Sequence, residues 1–132
     1  MGIRTLVNAA VVLALAIGFG ACGGSKLPSS PDPGNNGTIA ATIVIDSTGN
    51  VTPKDVTVAA GSRVTFTNNH NASHQMASDP HPEHTLCPSL NIAQLSPGQS
   101  GTSSNLNAVL VCTYHDHIND GDARLKGTIR VQ

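Results

Sequence analysis

What the chain has little of narrows the field first. Its 132 residues include no tryptophan, one tyrosine and two phenylalanines, so beyond Phe19 the aromatic bulk is Phe66 and Tyr114. The core must come mostly from Val, Ile, Leu and Ala, and at this size such a core is marginal without a staple. Charge is scarce and balanced, with 7 Lys and Arg against 8 Asp and Glu. No basic surface is available to hold phosphates, and nucleic acid is therefore excluded as a partner. No stretch shows amphipathic helical periodicity of useful length, and nothing repeats. Neither a serine-nucleophile motif nor a pair of catalytic carboxylates stands out, which argues against hydrolytic chemistry. The length allows one domain.

At the N-terminus, Arg4 precedes an apolar run from Leu6 to Phe19, broken by Asn8 and small residues. That is the core of a signal peptide, assigned to residues 1–21, and it is too short to read as a membrane span. Phe19-Gly20-Ala21-Cys22 resembles a bacterial lipobox, in which small residues precede a cysteine that is lipidated and becomes N-terminal. Phe19 departs from the aliphatic residue usual at that position. The resemblance implies lipid on Cys22, attachment to a membrane through it, and a place in the bacterial cell envelope facing the periplasm or exterior. Residues 22–37 are Gly, Ser, Pro, Asn and Asp with almost nothing apolar, so they read as a flexible tether. The folded domain is expected over 38–132.

Within that domain, Ile39 to Ile45 is β-branched and apolar and predicts a first strand, ended by Asp46-Ser47-Thr48-Gly49-Asn50. Val51-Thr52-Pro53-Lys54-Asp55 and Val56-Thr57-Val58 predict a second extended piece. Arg63-Val64-Thr65-Phe66-Thr67 alternates, which places Val64 and Phe66 toward a core. Asn68 to about Ser89 reads as irregular, and Leu95 to Ser100 as a turn. A strand then ends at Cys112, and Gly127 to Val131 closes the chain. Short strands punctuated by Gly and Pro predict an all-β, antiparallel β-sandwich.

Chemistry concentrates in Cys112-Thr113-Tyr114-His115-Asp116-His117. A thiolate with imidazoles favours soft or borderline metals such as copper and zinc. Ser78-Asp79-Pro80-His81-Pro82-Glu83-His84 adds two imidazoles and two carboxylates on a proline-stiffened loop. Five of the six histidines fall between His74 and His117. Should the two loops meet at one end with His74, they form a histidine-rich pocket suited to Cu(II) or Zn(II) without sulfur. Asp79 or Asp116 could then orient an imidazole from outside the ligand set. With lipid on Cys22, Cys87 and Cys112 make an even pair in an oxidising compartment. A bridge between them would contribute about 2–4 kcal/mol and would remove the thiolate. The alternative is Cys87 as a second thiolate ligand or a redox partner of Cys112, and spacing leaves both open.

Pro53, Val56-Thr57-Val58, Gly61, Val64-Thr65-Phe66-Thr67-Asn68 and His74 resemble the first half of a cupredoxin, the blue-copper domain. Leu95-Ser96-Pro97-Gly98, Cys112-Thr113-Tyr114-His115 and Gly127-Thr128-Ile129-Arg130-Val131 resemble the second. The resemblance implies a Greek-key β-sandwich or barrel. It also implies copper on His74, Cys112 and His115; Met76 is a further candidate for the axial place, and His117, His81 and His84 remain candidates from the histidine-rich loops themselves. Leu125-Lys126-Gly127 stands where Met-x-Gly is usual, which leaves the axial position to Met76 or to nothing. The implied function is a single-electron carrier with a redox protein as partner. The alternatives are a non-redox copper or zinc domain and a metal-free module stapled by Cys87 and Cys112. Cu,Zn superoxide dismutase also joins a β-sandwich, a His-x-His and a disulfide, but its metal loops have no counterpart here. A carrier or binding protein is expected rather than an enzyme.

Overall fold

The β-branched run Ile39–Ile45 forms strand β1, and a turn closed by the Asp46 and Asn50 backbones ends it. The structure, a computed structural model, describes residues 36–132. The expected signal peptide, Cys22 with its expected lipid, and nearly all of the expected tether lie outside the described residues. Of the tether's end, the Gly37 N–H donates to Asn105 Oδ1 at 2.9 Å.

The remaining strands are β2 (Val51–Thr52), β3 (Asp55–Val58), β4 (Arg63–Asn68), β5 (Met76–Ser78), β6 (Ser100–Thr102), β7 (Val111–Asp116) and β8 (Gly127–Val131). They make two four-stranded sheets, ordered β2-β1-β4-β6 and β3-β8-β7-β5. The sandwich is as expected, but its sheets are mixed rather than antiparallel. β1 runs parallel to β4, from Ile39 beside Arg63 to Ile45 beside Asn68. β3 runs parallel to β8, from Asp55 beside Thr128 to Val58 beside Val131. The chain changes sheet between β2 and β3 and again between β3 and β4, and such crossovers return a strand in the direction it left.

Alternation decides what enters the core. Along β4, Val64, Phe66 and Asn68 are buried while Arg63, Thr65 and Thr67 are half-exposed. Ile43, Ile45, Val64 and Phe66 from one sheet meet Cys112, Tyr114, Ile129 and Val131 from the other. The two aromatic rings of the domain lie edge to face with centroids 5.3 Å apart, a contact worth about 0.5–1.5 kcal/mol beyond burial. The Tyr114 hydroxyl donates to the Lys54 carbonyl at 2.8 Å, and burial, then the nearby Asp55 charge, pushes its pKa well above the ordinary tyrosine value. Only glycine fits at 127, because a Cβ there would overlap the Lys54 carbonyl and the Tyr114 hydroxyl. Met76 and Leu125, the two residues weighed for an axial position, are buried in this core.

Cys87 and Cys112 are joined by a disulfide across a separation of 25 residues. Closing a loop of that length stabilises the fold by about 3.5 kcal/mol in the chain-entropy account. The staple that so small an aliphatic core calls for is this bridge. Two strands were not foreseen: β6, which starts where a turn over Leu95 to Ser100 was expected to end, and β5, which lies inside the stretch expected to be irregular. Met-Ala-Ser carries no β-branched residue, and the strand exists because all three residues are buried against β7.

Candidate metal centre

β7 divides the chemistry of the domain. Consecutive strand residues point to opposite faces. Cys112 and Tyr114 enter the core, and Asp116, on the same side, meets His74. His115 points the other way. Because β5 sets Ala77 beside His115 and Ser78 beside Tyr114, the segment leaving β5 at Asp79 passes over the His115 face. Cys112 and His115, three apart within one strand, thus lie on opposite faces, and the expected trio His74, Cys112 and His115 does not converge.

The Asp79–Asn91 segment is pinned from several directions. Ser78 Oγ donates to the His84 carbonyl at 3.0 Å and accepts from the Cys87 N–H at 3.2 Å. The Asn91 side chain bonds both the Ser78 N–H, at 2.8 Å, and the His84 carbonyl, at 3.0 Å. His84 N–H donates to the Pro80 carbonyl at 2.7 Å, and Leu86 N–H to the Asp79 carbonyl at 2.9 Å. His84 itself has φ 54°, the one non-glycine residue with positive φ among the described residues. A non-glycine residue is held there only when its surroundings over-determine it, and such positions concentrate at functional sites.

The result is four imidazoles gathered together. His81, His84, His115 and His117 each offer a ring nitrogen, and these nitrogens lie within 4.8 Å of one another. Ring centroids of His84 stand 5.1 Å from His115 and 4.8 Å from His117, and His81 lies 5.0 Å from His117. Hydrogen bonds identify the tautomers. His84 Nδ1 sits 2.9 Å from the Ser78 carbonyl, which can only accept, so Nδ1 carries the hydrogen and Nε2 the lone pair. His115 Nδ1 donates to Asp79 Oδ1 at 2.7 Å, which leaves Nε2 as its free nitrogen. Burial raises the Asp79 pKa, but hydrogen bonds from Thr113 and His115 and the charges of His115 and Lys126 outweigh it. The carboxyl is held below its ordinary value and stays an acceptor. His84 Nε2 and His117 Nδ1 are 2.8 Å apart and share a hydrogen.

Whether a metal fits can be judged from one atom. His115 Nε2 is buried and has no hydrogen-bond partner, alone in this among the buried side-chain polar atoms of the described residues. Leaving such a group unpaired costs about 1–3 kcal/mol, so a native structure that keeps one calls for a ligand. Metal–imidazole bonds of about 2.0–2.1 Å allow two donors at most about 4.2 Å apart, so a spread within 4.8 Å needs about 0.6 Å of closure. Two of the four imidazoles also have their second nitrogen held by an oxygen, the arrangement that orients metal-binding histidines. The donor set fits a divalent ion that favours imidazole.

His74 belongs to another group. Its Nδ1 lies 2.8 Å from Asp116 Oδ2 and its Nε2 2.8 Å from His70 Nδ1. Asp116 is fully buried and also accepts from the Gln75 and Ile118 N–H groups and from Asn119 Nδ2. Burial raises the Asp116 pKa, and these hydrogen bonds together bring it below the ordinary value. Both of His74's nitrogens are therefore engaged. Cys112 is corrected as a ligand, since its sulfur is bonded to that of Cys87 and presents no thiolate. Sequence reasoning singled out His81, His84 and His117 only as second choices and passed over His70. The i, i+4 spacing of His70 and His74 around a turn was the available signal.

The sequence matches no protein-family model, and none of the curated proteins matches it. Solved structures do. A purple cupredoxin from Nitrosopumilus maritimus is 20% identical, covering 70% of this chain and 99% of its own, with a TM-score of 0.57. The oxidised form of plastocyanin from Dryopteris crassirhizoma is 22% identical, covering 69% and 99%, with a TM-score of 0.56. An oxidised methionine-to-leucine variant of amicyanin is 15% identical, covering 70% and 82%, with a TM-score of 0.55. Identities this low speak for the architecture of the domain.

Proposed function

For a cupredoxin-like domain whose two buried cysteines are bridged, we propose that His81, His84, His115 and His117 bind copper as Cu(II), without a thiolate. The observation that carries this is the orphaned Nε2 of His115, buried beside three other imidazoles. Imidazole nitrogens hold Cu(II) more tightly than Zn(II) in a site of given donors, so copper is preferred over zinc. Asp79 keeps the buried His115 in the tautomer that offers Nε2, and the Ser78 carbonyl does the same for His84. His81, at the exposed rim, closes the set from the solvent side. The bound ion supplies a one-electron couple, and without a thiolate it has none of the intense sulfur-to-copper absorption of a blue site. Lipid on Cys22, behind a signal peptide over 1–21 and a tether over 22–37, would hold the domain at a bacterial membrane. Copper and any redox partner would then be met outside the cytoplasm. An oxidising envelope is also where a structural disulfide persists.

Titration of the mature chain with Cu(II) tests the reading. One equivalent is expected to bind, with weak visible absorption and nitrogen hyperfine structure in the electron paramagnetic resonance spectrum. His115→Ala combined with His117→Ala should abolish it. An intense blue colour, or tight binding that survives the double substitution, would refute the four-imidazole site.

A further inference from the structure

We infer that the Cys87–Cys112 bridge is a redox-sensitive clamp on this metal centre: its reduction by a dithiol loosens the centre's hold on the ion. The inference rests on the proposed four-imidazole site. That site has two halves. His81 and His84 come from the segment after β5, and His115 and His117 from β7 and its exit. Cys87 follows His84 by three residues and Cys112 precedes His115 by three, so the disulfide ties the same two halves together. At its start the segment is held to β7 by the Asp79 N–H to the Thr113 carbonyl, 3.1 Å, and by Asp79 to His115, 2.7 Å. Beyond His84 the covalent bridge takes over, and the Cys87 N–H is also bonded to the Ser78 hydroxyl that holds the His84 carbonyl.

The sulfurs act through the backbone and not as ligands. Three residues of strand span about 10 Å, and Cys112 points to the opposite face from His115. Cys87 and Cys112 are only 6% and 1% exposed, but both line a pocket of about 90 Å³ together with Leu86, Leu106, Ala108 and Leu110, and this pocket is the approach a dithiol would take. One thiolate of the dithiol attacks a bridge sulfur, breaking the Cys87–Cys112 bond and forming a mixed disulfide. Its second thiolate then displaces the remaining cysteine. Two electrons and two protons pass to the protein, which is left with two thiols, and the reagent departs as a disulfide. The segment carrying His84 in its left-handed conformation then loses the closure that kept it over His115. By linkage, whatever factor the open bridge costs in metal affinity, bound metal returns as protection of the bridge.

The test compares the oxidised wild-type chain with the Cys87→Ser/Cys112→Ser variant, measuring Cu(II) affinity by competition with a chelator. The expected loss is about 5- to 150-fold, the usual range of coupling between sites. Unchanged affinity in a variant with a native-like circular dichroism spectrum would overturn the clamp and leave the site standing. A wild-type chain that binds no Cu(II) would overturn the site itself. Should the variant fail to fold, wild-type protein decides the matter with Zn(II), a probe that is not reduced. In a dithiol redox buffer, with free Zn(II) held high enough to saturate the site, the equilibrium ratio of reduced to bridged protein should be at least about fivefold lower than without Zn(II). An equal ratio would overturn the clamp.

Discussion

Replacing Asp79 by alanine isolates the contribution of a residue that is not itself among the four ligands. Its carboxylate accepts the Nδ1 hydrogen of His115 at 2.7 Å; His115 is 1% exposed but the carboxylate side chain is 41% exposed, so after truncation only water drawn into its place could accept that hydrogen, without fixing the ring as the carboxylate does. Two consequences follow from one lost acceptor. A buried N–H left unpaired costs about 1–3 kcal/mol of folding stability. With its Nδ1 hydrogen unclaimed, the ring also no longer prefers the tautomer and orientation that present Nε2, and the loss of such an oxygen partner weakens metal binding about 10- to 100-fold. At about 1.4 kcal/mol per factor of ten, that is about 1.4–2.8 kcal/mol of binding free energy. Asp79→Asn is the informative companion, because its amide oxygen can still accept from Nδ1 while the charge is gone, and it should fall between wild type and alanine. The assay is chelator competition for Cu(II) at a temperature where urea melts show all three proteins folded. Affinities equal within experimental error for Asp79→Ala and wild type would refute the reasoning, since His115 would then need no orienting oxygen.

Two further outcomes test the division of labour around β7. His74→Ala should still bind one equivalent of Cu(II), measured by the same titration, while losing about 1–3 kcal/mol of stability because Asp116 loses a donor. Loss of the metal in that variant would bring His74 back as a ligand. The folded-state pKa of Asp116 lies below its ordinary value of 3.8, so its ionised form contributes stability above that pH, lost as the pH falls through the lower folded value. Asp116→Ala should therefore lower stability in urea unfolding at neutral pH, by about 1–3 kcal/mol for a buried donor left unpaired, and flatten the pH dependence of stability below about pH 4. A variant that retained the wild-type acid slope would contradict this assignment.

Much of the architecture was legible because it depends on local rules. The period of two in Arg63–Thr67 placed Val64 and Phe66 inside, and they are buried. The shortage of aromatic bulk called for a staple, and two cysteines were at hand to make one. The parallel pairings were not legible, because strand direction follows from which sheet each crossover enters. Nor was β5, whose three residues have no strand signature of their own and depend on burial against β7.

The site shows the same boundary at finer scale. That histidines, a cysteine pair and two carboxylates crowd the second half of the chain was a property of the sequence alone, as was the choice among borderline metals that such donors imply. Which of them meet was decided in three dimensions. β7 continues as a strand through Asp116, and this puts His115 and Cys112 on opposite faces, whereas a strand ending at Cys112 would have left them free to converge. Pairing of β5 with β7 then brings His81 and His84 over one face, and His74 to Asp116 on the other. Residue types carry the chemistry along the chain, but the parity of a strand and the partner beside it depend on contacts between residues distant in sequence.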